Sequence, residues 1–228
     1  MVTTLGVLIL LACGPPSPAP RVTDATPLIS ASRARLSSAV ERALPLWVES
    51  WRGKVPSFAV STFTLVREGP YTPEYTVAFS PSDDEDLRER LYLCSSGRSR
   101  CIDPYVLTSF ERTDDGIEPM SDVDQGIALI DMKKKTWTRL LFCGPSCGFQ
   151  DAAWLDAETI AVVGFETHDR EEPCTEDKPC LTSATATIID LRRGRILAFE
   201  GPETPDPVHA DEYLARRLSA LGLRVAQP

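Results

Sequence analysis

Ile127-Ala128-Leu129-Ile130-Asp131-Met132-Lys133-Lys134-Lys135-Thr136-Trp137-Thr138-Arg139-Leu140-Leu141-Phe142 decides the fold class. Two short apolar runs, Ile127 to Met132 and Trp137 to Phe142, flank a turn of lysines, which reads as two strands joined tightly. The pattern returns about 59 residues later: Ile189-Asp190-Leu191-Arg192-Arg193 leads to Leu197-Ala198-Phe199-Glu200-Gly201-Pro202, as Ile130-Asp131-Met132-Lys133-Lys134 leads to Leu140-Leu141-Phe142-Cys143-Gly144-Pro145. Working outward, further runs bounded by Pro, Gly, Ser and Asp read as strands: Phe58 to Val66, Tyr75 to Phe79, Arg90 to Cys94, Tyr105 to Thr108, Ala152 to Leu155, Thr159 to Phe165, Ala184 to Leu191 and Arg195 to Glu200. The expectation is a mainly β, β-rich α+β chain built as an antiparallel meander.

Between the two copies, Ala153-Trp154-Leu155-Asp156 and the apolar Thr159 to Phe165 complete a strand series. Residues 126 to 201 thereby resemble one and a half β-propeller blades of WD40 or TolB type. About ten strands furnish two or three blades, and a closed propeller needs about four. An open or sandwich-like sheet is therefore expected ahead of a partial propeller.

A helix is expected on each side of the sheet region. Leu36, Val40, Leu44, Trp47 and Trp51 recur at helical spacing and place a stripe on a helix from about Ser32 to Glu49, kinked or ended early by Pro45. Asp206-Pro207 reads as a helix start, with Leu214, Leu218 and Leu221 as the buried stripe and Gly222 as the C-terminal cap.

The first residues carry an address. Met1 to Ala12 has no charged side chain, and its apolar run from Leu5 to Ala12 is far shorter than the roughly 20 residues of a membrane-spanning helix, so it reads as a signal h-region. Leu10-Leu11-Ala12-Cys13 resembles the lipobox of bacterial lipoproteins. That resemblance implies cleavage before Cys13, acyl chains such as palmitate on it, and attachment to a cell-envelope membrane, the outer membrane if the source has two. Pro15, Pro16, Pro18 and Pro20 favour an extended spacer. The expected organisation is a signal peptide over 1–12, a lipid-modified Cys13 with a Pro-rich linker over 13–26, and a single β-rich domain with flanking helices over 27–228.

Six cysteines remain beside Cys13, an even number suited to disulfides in an oxidising compartment. They fall into close couples: Cys94 with Cys101, Cys143 with Cys147, and Cys174 with Cys180. Cys143-Gly144-Pro145-Ser146-Cys147 places three residues between its thiols where thioredoxin-like motifs place two, so a structural bridge is expected over thiol-disulfide exchange or metal handling.

Acidic residues outnumber basic ones by 33 to 24, and the net charge of −9 repels nucleic acid and, at long range, anionic lipid. Hydrolase elbows, zinc helices, P-loops and dinucleotide turns are missing, and no cofactor is implied. His209 and Glu212 share one helical face without a third metal ligand, and Asp122-x-Asp124-x-Gly126 is a fragment of a calcium loop. Carboxylates cluster at Asp83 to Asp86, Asp114 to Asp124 and Glu166 to Asp177, as solvated loops. The reading is a lipid-anchored envelope protein, non-enzymatic, that binds another envelope protein or serves as structure. The alternatives are thiol-disulfide or metal chemistry at Cys143 and Cys147, and a hydrolase using loop carboxylates.

Overall fold

The computed structural model describes residues 26–80, 85–168, 174, 179–205 and 207–226. Leu10 to Cys13, the proline spacer, Asp206 and most of the acidic segment from Glu166 to Asp177 lie outside them. The chain is mainly β, with antiparallel sheets that do not close into a barrel and with helices at both ends.

The first stripe forms two helices instead of one. Helix α1 (Thr26–Ala43) stops at Leu44, whose backbone leaves the helical region, and α2 (Pro45–Lys54) begins with proline in its first turn, where no amide donor is needed. Val40, Leu44, Trp47, Val48 and Trp51 are buried across both, so the stripe survives the break. The run expected as a strand from Phe58 opens instead as a single 3-10 turn, Val60–Thr62, before β1 (Thr64–Pro70).

The remaining elements are β2 (Thr76–Ala78), α3 (Glu85–Leu91), β3 (Leu93–Cys94), β4 (Arg100–Asp103), β5 (Thr108–Thr113), β6 (Gly116–Ser121), β7 (Gln125–Asp131), β8 (Thr136–Cys143), β9 (Cys147–Trp154), β10 (Thr159–His168), β11 (Leu181–Asp190), β12 (Arg195–Thr204) and α4 (Ala210–Ala220). One sheet runs β1-β12-β11-β10-β9, the other β2-β8-β7-β4-β3, and β5-β6 stands as a separate hairpin. Each large sheet is a four-strand meander, β9 to β12 or β3-β4-β7-β8, whose last strand accepts a fifth from the N-terminal region. The duplicated sequence occupies the third and fourth strands of both meanders. Its aspartates act alike in the two turns. Asp131 Oδ1 accepts the amides of Lys133 and Lys134, and Asp190 Oδ1 that of Arg193, while Lys135 and Gly194 hold the left-handed conformation each turn needs.

Three sequence expectations need correction. In the run Arg90 to Cys94, Arg90 and Leu91 end α3 and only Leu93 and Cys94 form a strand. Tyr105 to Leu107 is a turn and Thr108 opens β5, because Asp103 Oδ1 captures the Tyr105 amide and the Thr108 amide bonds the Tyr105 carbonyl. The last helix starts at Ala210 with His209 as its N-cap residue. Its C-terminal reading agrees with the structure: Gly222 is left-handed, and the Leu223 amide bonds the Leu218 carbonyl.

The sheet of β1 and β9–β12 is covered on both faces. Ala161, Val163, Ala186, Ile188 and Phe199 meet α1 and α2, while Ile160, Val162, Ile189 and Ile196 meet Ile102, Ile127 and Leu140 of the other sheet. Double covering explains why β10 reads as a continuous apolar run without alternation. A third cluster joins Leu87 and Leu91 of α3, Phe110 and Ile117 of the hairpin, and Leu214 and Leu218 of α4.

Candidate functional site: the outer face of the second sheet

Register along β7 and β8 sends Ile127 and Leu141 toward the other sheet and Trp137, Arg139 and Phe142 outward. Val77 of β2 lies opposite Trp137 and shares that outer face. The face is apolar and open: Tyr75 is 42% exposed, Val77 49% and Phe142 44%. The Arg139 guanidinium lies 4.6 Å from the centre of the Tyr75 ring and 4.8 Å from that of Phe142, and it pairs with Glu74. Tyr75 in turn packs on Trp137 with ring centres 5.6 Å apart. Rings with an intercalated arginine have the composition of energetically dominant spots in protein interfaces.

Beside this ridge lies a cavity of about 300 Å³ lined by Val77, Phe79, Arg88, Tyr92, Asp103 and Trp137, with Ala78, Ser80 and Val106 completing it. Its ionic floor is internally satisfied. Arg88 bonds Asp103 at 3.2 Å and the Tyr105 carbonyl at 3.1 Å, and also donates to the Thr108 carbonyl. The groups left to meet a guest are mainly the aromatic and aliphatic walls, so the cavity suits an apolar side chain or fragment at the small end of ligand pockets.

All six cysteines of the expected framework are bridged in the expected couples. Cys94 and Cys101 face each other across β3 and β4 with α-carbons 3.9 Å apart, nearer than the roughly 5.5 Å typical of such bridges. Cys143–Cys147 spans the crossover from β8 in one sheet to β9 in the other, with 5.8 Å between α-carbons. Cys174–Cys180 closes a loop before β11, with 5.2 Å. The CxxxC segment is strand, turn and strand, without the helix N-terminus that activates a redox thiol.

Among the described residues, those singled out for catalysis or metal binding do not assemble such geometry. Glu212 is taken by Lys54 at 3.4 Å and Arg216 at 3.0 Å, and His209 stands at the helix start. Asp122 Oδ1 accepts the Val123 amide, and Asp86 pairs with Arg112. Among the described residues no three His, Cys, Asp or Glu side chains are grouped to hold a metal ion. His168 does meet a serine and a carboxylate, Ser183 Oγ at 3.0 Å and Glu200 Oε1 at 2.7 Å, but both contacts fall on Nε2. A hydrolase relay needs its acid and its nucleophile on opposite ring nitrogens.

The sequence did not reveal a buried polar junction on β9. Gln150 Oε1 accepts the indole N–H groups of Trp47 at 2.8 Å and Trp51 at 3.0 Å, and Nε2 donates to the Val208 carbonyl at 2.5 Å. Next to it, Asp151 accepts the Tyr213 hydroxyl at 2.5 Å and the Ala152 amide at 2.9 Å, with Arg217 at 3.8 Å. The junction ties α2, β9 and α4 together. Burial pushes the Asp151 carboxyl above the usual carboxylate range, against the opposing pull of Arg217 and Tyr213. Folding therefore favours its protonated form. That contribution is complete below the ordinary carboxylate pKa and is lost as pH rises through the raised folded value.

The turn residues Asp131, Asp156 and Asp190 behave oppositely. Backbone amides of Lys134, Glu158 and Arg193, respectively, hold them below the usual range, so their contribution disappears only at lower pH. Denaturation at pH 7, 5.5 and 4 is expected to show the wild type gaining on Asp151→Asn as pH falls. A constant difference over that range would mean that Asp151 does not titrate there.

Compared with protein-family models, curated proteins and solved structures, the chain matches none.

Proposed function

We propose that this chain is a lipid-anchored protein of the cell envelope that acts by binding another envelope protein, not by catalysis. The observation that supports the reading is the cysteine pairing: Cys94, Cys101, Cys143, Cys147, Cys174 and Cys180 form three bridges, which leaves the seventh cysteine of the sequence, Cys13, outside them. It stands at the end of Leu10-Leu11-Ala12-Cys13, where lipidation is the chemistry that such a sequence offers. Three bridges in a β domain also fit folding in an oxidising compartment. Among the described residues no helix is long and apolar enough to cross a membrane.

Binding is assigned to the ridge of Tyr75, Val77, Trp137 and Phe142 with its adjoining cavity. An exposed aromatic face next to a pocket suits a partner that inserts one apolar side chain. Metabolic labelling with an acyl-chain analogue tests the anchor: label is expected on the wild type and absent from Cys13→Ala. Equal incorporation in both would remove the anchor. Photocrosslinkers at positions 77 and 142 are expected to give a common adduct in cells that is absent with one at Arg42, and adducts at Arg42 alone would move the binding surface elsewhere.

A further inference from the structure

The duplicated hairpins carry a feature that the partner-binding face does not use: both turn through basic residues, Lys133-Lys134-Lys135 in one sheet and Arg192-Arg193-Gly194-Arg195 in the other. The two turns lie at one end of the molecule. Arg100 begins β4 opposite Asp131, where β7 ends, and its guanidinium reaches across to the Glu158 carboxylate at 2.9 and 3.0 Å, in the β9–β10 turn of the other sheet. Thr159, just beyond that turn, is opposite Asp190, and Asp190 is opposite Arg195.

This end therefore gathers Arg98, Arg100, Lys133, Lys134, Lys135, Arg192, Arg193 and Arg195. Among the described residues the anions at this end are Glu68, Asp131, Asp156, Glu158 and Asp190, three fewer than its cations, in a chain of net charge −9. The aspartates are directed into their own turns as acceptors for backbone amides, whereas Arg98, Lys133, Lys135 and Arg192 are exposed. Met132, 39% exposed, sits in the lysine turn.

We infer that this basic end is a docking surface for an anionic lipid bilayer. The end is made of hairpin turns and not of a groove. Lysines on flexible stems present point charges without fixed directional demands, which suits a fluid array of headgroups better than a set of placed carboxylates. Met132 among them supplies an apolar group to the headgroup boundary. The overall negative charge does not cancel this. The segment with the acidic run Glu166 to Asp177 joins β10 at His168 to β11 at Leu181, the far ends of ten-residue strands. Those strand ends, His168 and Leu181, lie roughly 30 Å from the basic turns, against a screening length of about 8 Å at physiological salt. At contact the near pole decides the sign.

The inference rests on the membrane-held reading, because weak electrostatic attraction holds a protein only when an acyl chain supplies a second signal. Its test does not use the anchor. Full-length chain carrying Cys13→Ala is titrated with vesicles of zwitterionic phosphatidylcholine alone and with about 30 mol% phosphatidylglycerol, and the ratio of the two affinities removes any contribution of the apolar leader. The ratio is expected to exceed about tenfold at low salt, to fall on adding salt, and to approach one in Lys133→Glu/Lys135→Glu/Arg192→Glu. Reversing Arg42, Arg216 and Arg224, exposed cations away from these turns, makes the same change in net charge and is expected to leave the ratio within about twofold.

A ratio near one for the parent, equal losses in both triple variants, or tighter binding to soluble polyglutamate than to anionic vesicles would overturn the inference. Coincident thermal melts verify that the variants fold. Acyl label on Cys13 with no vesicle preference defeats the surface alone, and vesicle preference without label defeats the anchor alone.

Discussion

Gln150→Ala is expected to lower stability by about 4 kcal/mol, which for a domain of this size shifts the melting midpoint by about 8 to 16 °C. The amide is 1% exposed and bonds three groups that have no access to water. Truncation leaves the indole N–H groups of Trp47 and Trp51, both buried, without their acceptor and takes the donor from the Val208 carbonyl. A buried donor or acceptor left without a partner costs about 1 to 3 kcal/mol, and the vacated volume adds to that. Trp47→Phe, which deletes only one donor and leaves Gln150 bonded to Trp51 and Val208, is expected to cost much less than the alanine variant through hydrogen bonding. Guanidinium denaturation followed by tryptophan fluorescence reads both. A loss under about 1 kcal/mol for Gln150→Ala would show that the junction does not hold α2 against β9.

Gly164→Ala is expected to be worse, at least about 4 kcal/mol, or to prevent folding. A Cβ at this position would lie 1.9 Å from the Gly148 carbonyl oxygen, 2.9 Å from its carbon and 3.0 Å from the Phe149 α-carbon. All three are backbone atoms of the adjacent strand, at the point where the β9–β10 register shifts between Val163 and Gly164. No side-chain rotation relieves the contact, so one strand must move. Gly53, in the last turns of α2, is the contrast. Nothing lies within 4 Å of a Cβ built there, and alanine is expected to raise stability by about 0.5 to 1 kcal/mol. If Gly164→Ala folds with wild-type stability, the close approach of β9 and β10 is not required.

Much of the sheet region was legible because its strands are long and, in the sheet of β1 and β9 to β12, covered on both faces. β7, β8, β10, β11 and β12 fall on the runs read as strands, and the duplicated Ile-Asp turn sequence marks equivalent hairpins in both sheets. The cysteine couples were legible from short spacing. What failed was short and polar. β5 and β6 carry Thr108, Ser109, Glu111, Arg112 and Glu118 around only two buried apolar residues, Phe110 and Ile117, so their alternation gives no strand signal without the third cluster they cover.

Arg90 to Cys94 read as a strand because Leu91 and Tyr92 are apolar neighbours, yet Leu87 and Leu91 are spaced as a helix face and bury together with α4. The Gln150–Asp151 junction was invisible for a different reason. Its partners Trp47, Trp51, Val208 and Tyr213 come from the two ends of the chain, and a polar pair inside a strand looks like a solvent-facing interruption. The outer face was half legible: Tyr75, Val77, Trp137 and Phe142 were assigned to strands, but only register places them on one side with Arg139 between them.

The fifth strands impose an order on assembly. β2 finds β8 about 60 residues downstream, so the sheet of β2, β3, β4, β7 and β8 has every strand it needs once Cys143 has been synthesised. β1 must wait much longer, since Thr64 pairs with Glu200 and the surface that α1 and α2 cover is built from β10, β11 and β12. Trp47, Trp51, Phe58 and Phe63 thus emerge from the ribosome more than a hundred residues before the strands on which they settle, bearing the largest apolar side chains of the core. Early closure of the second sheet carries this segment on the strand adjoining β2 and keeps it near its destination. Long separation between partners slows the final step and leaves that aromatic segment exposed to wrong contacts in the interval. The segment from α1 to β1 is made before either sheet is complete and is placed last.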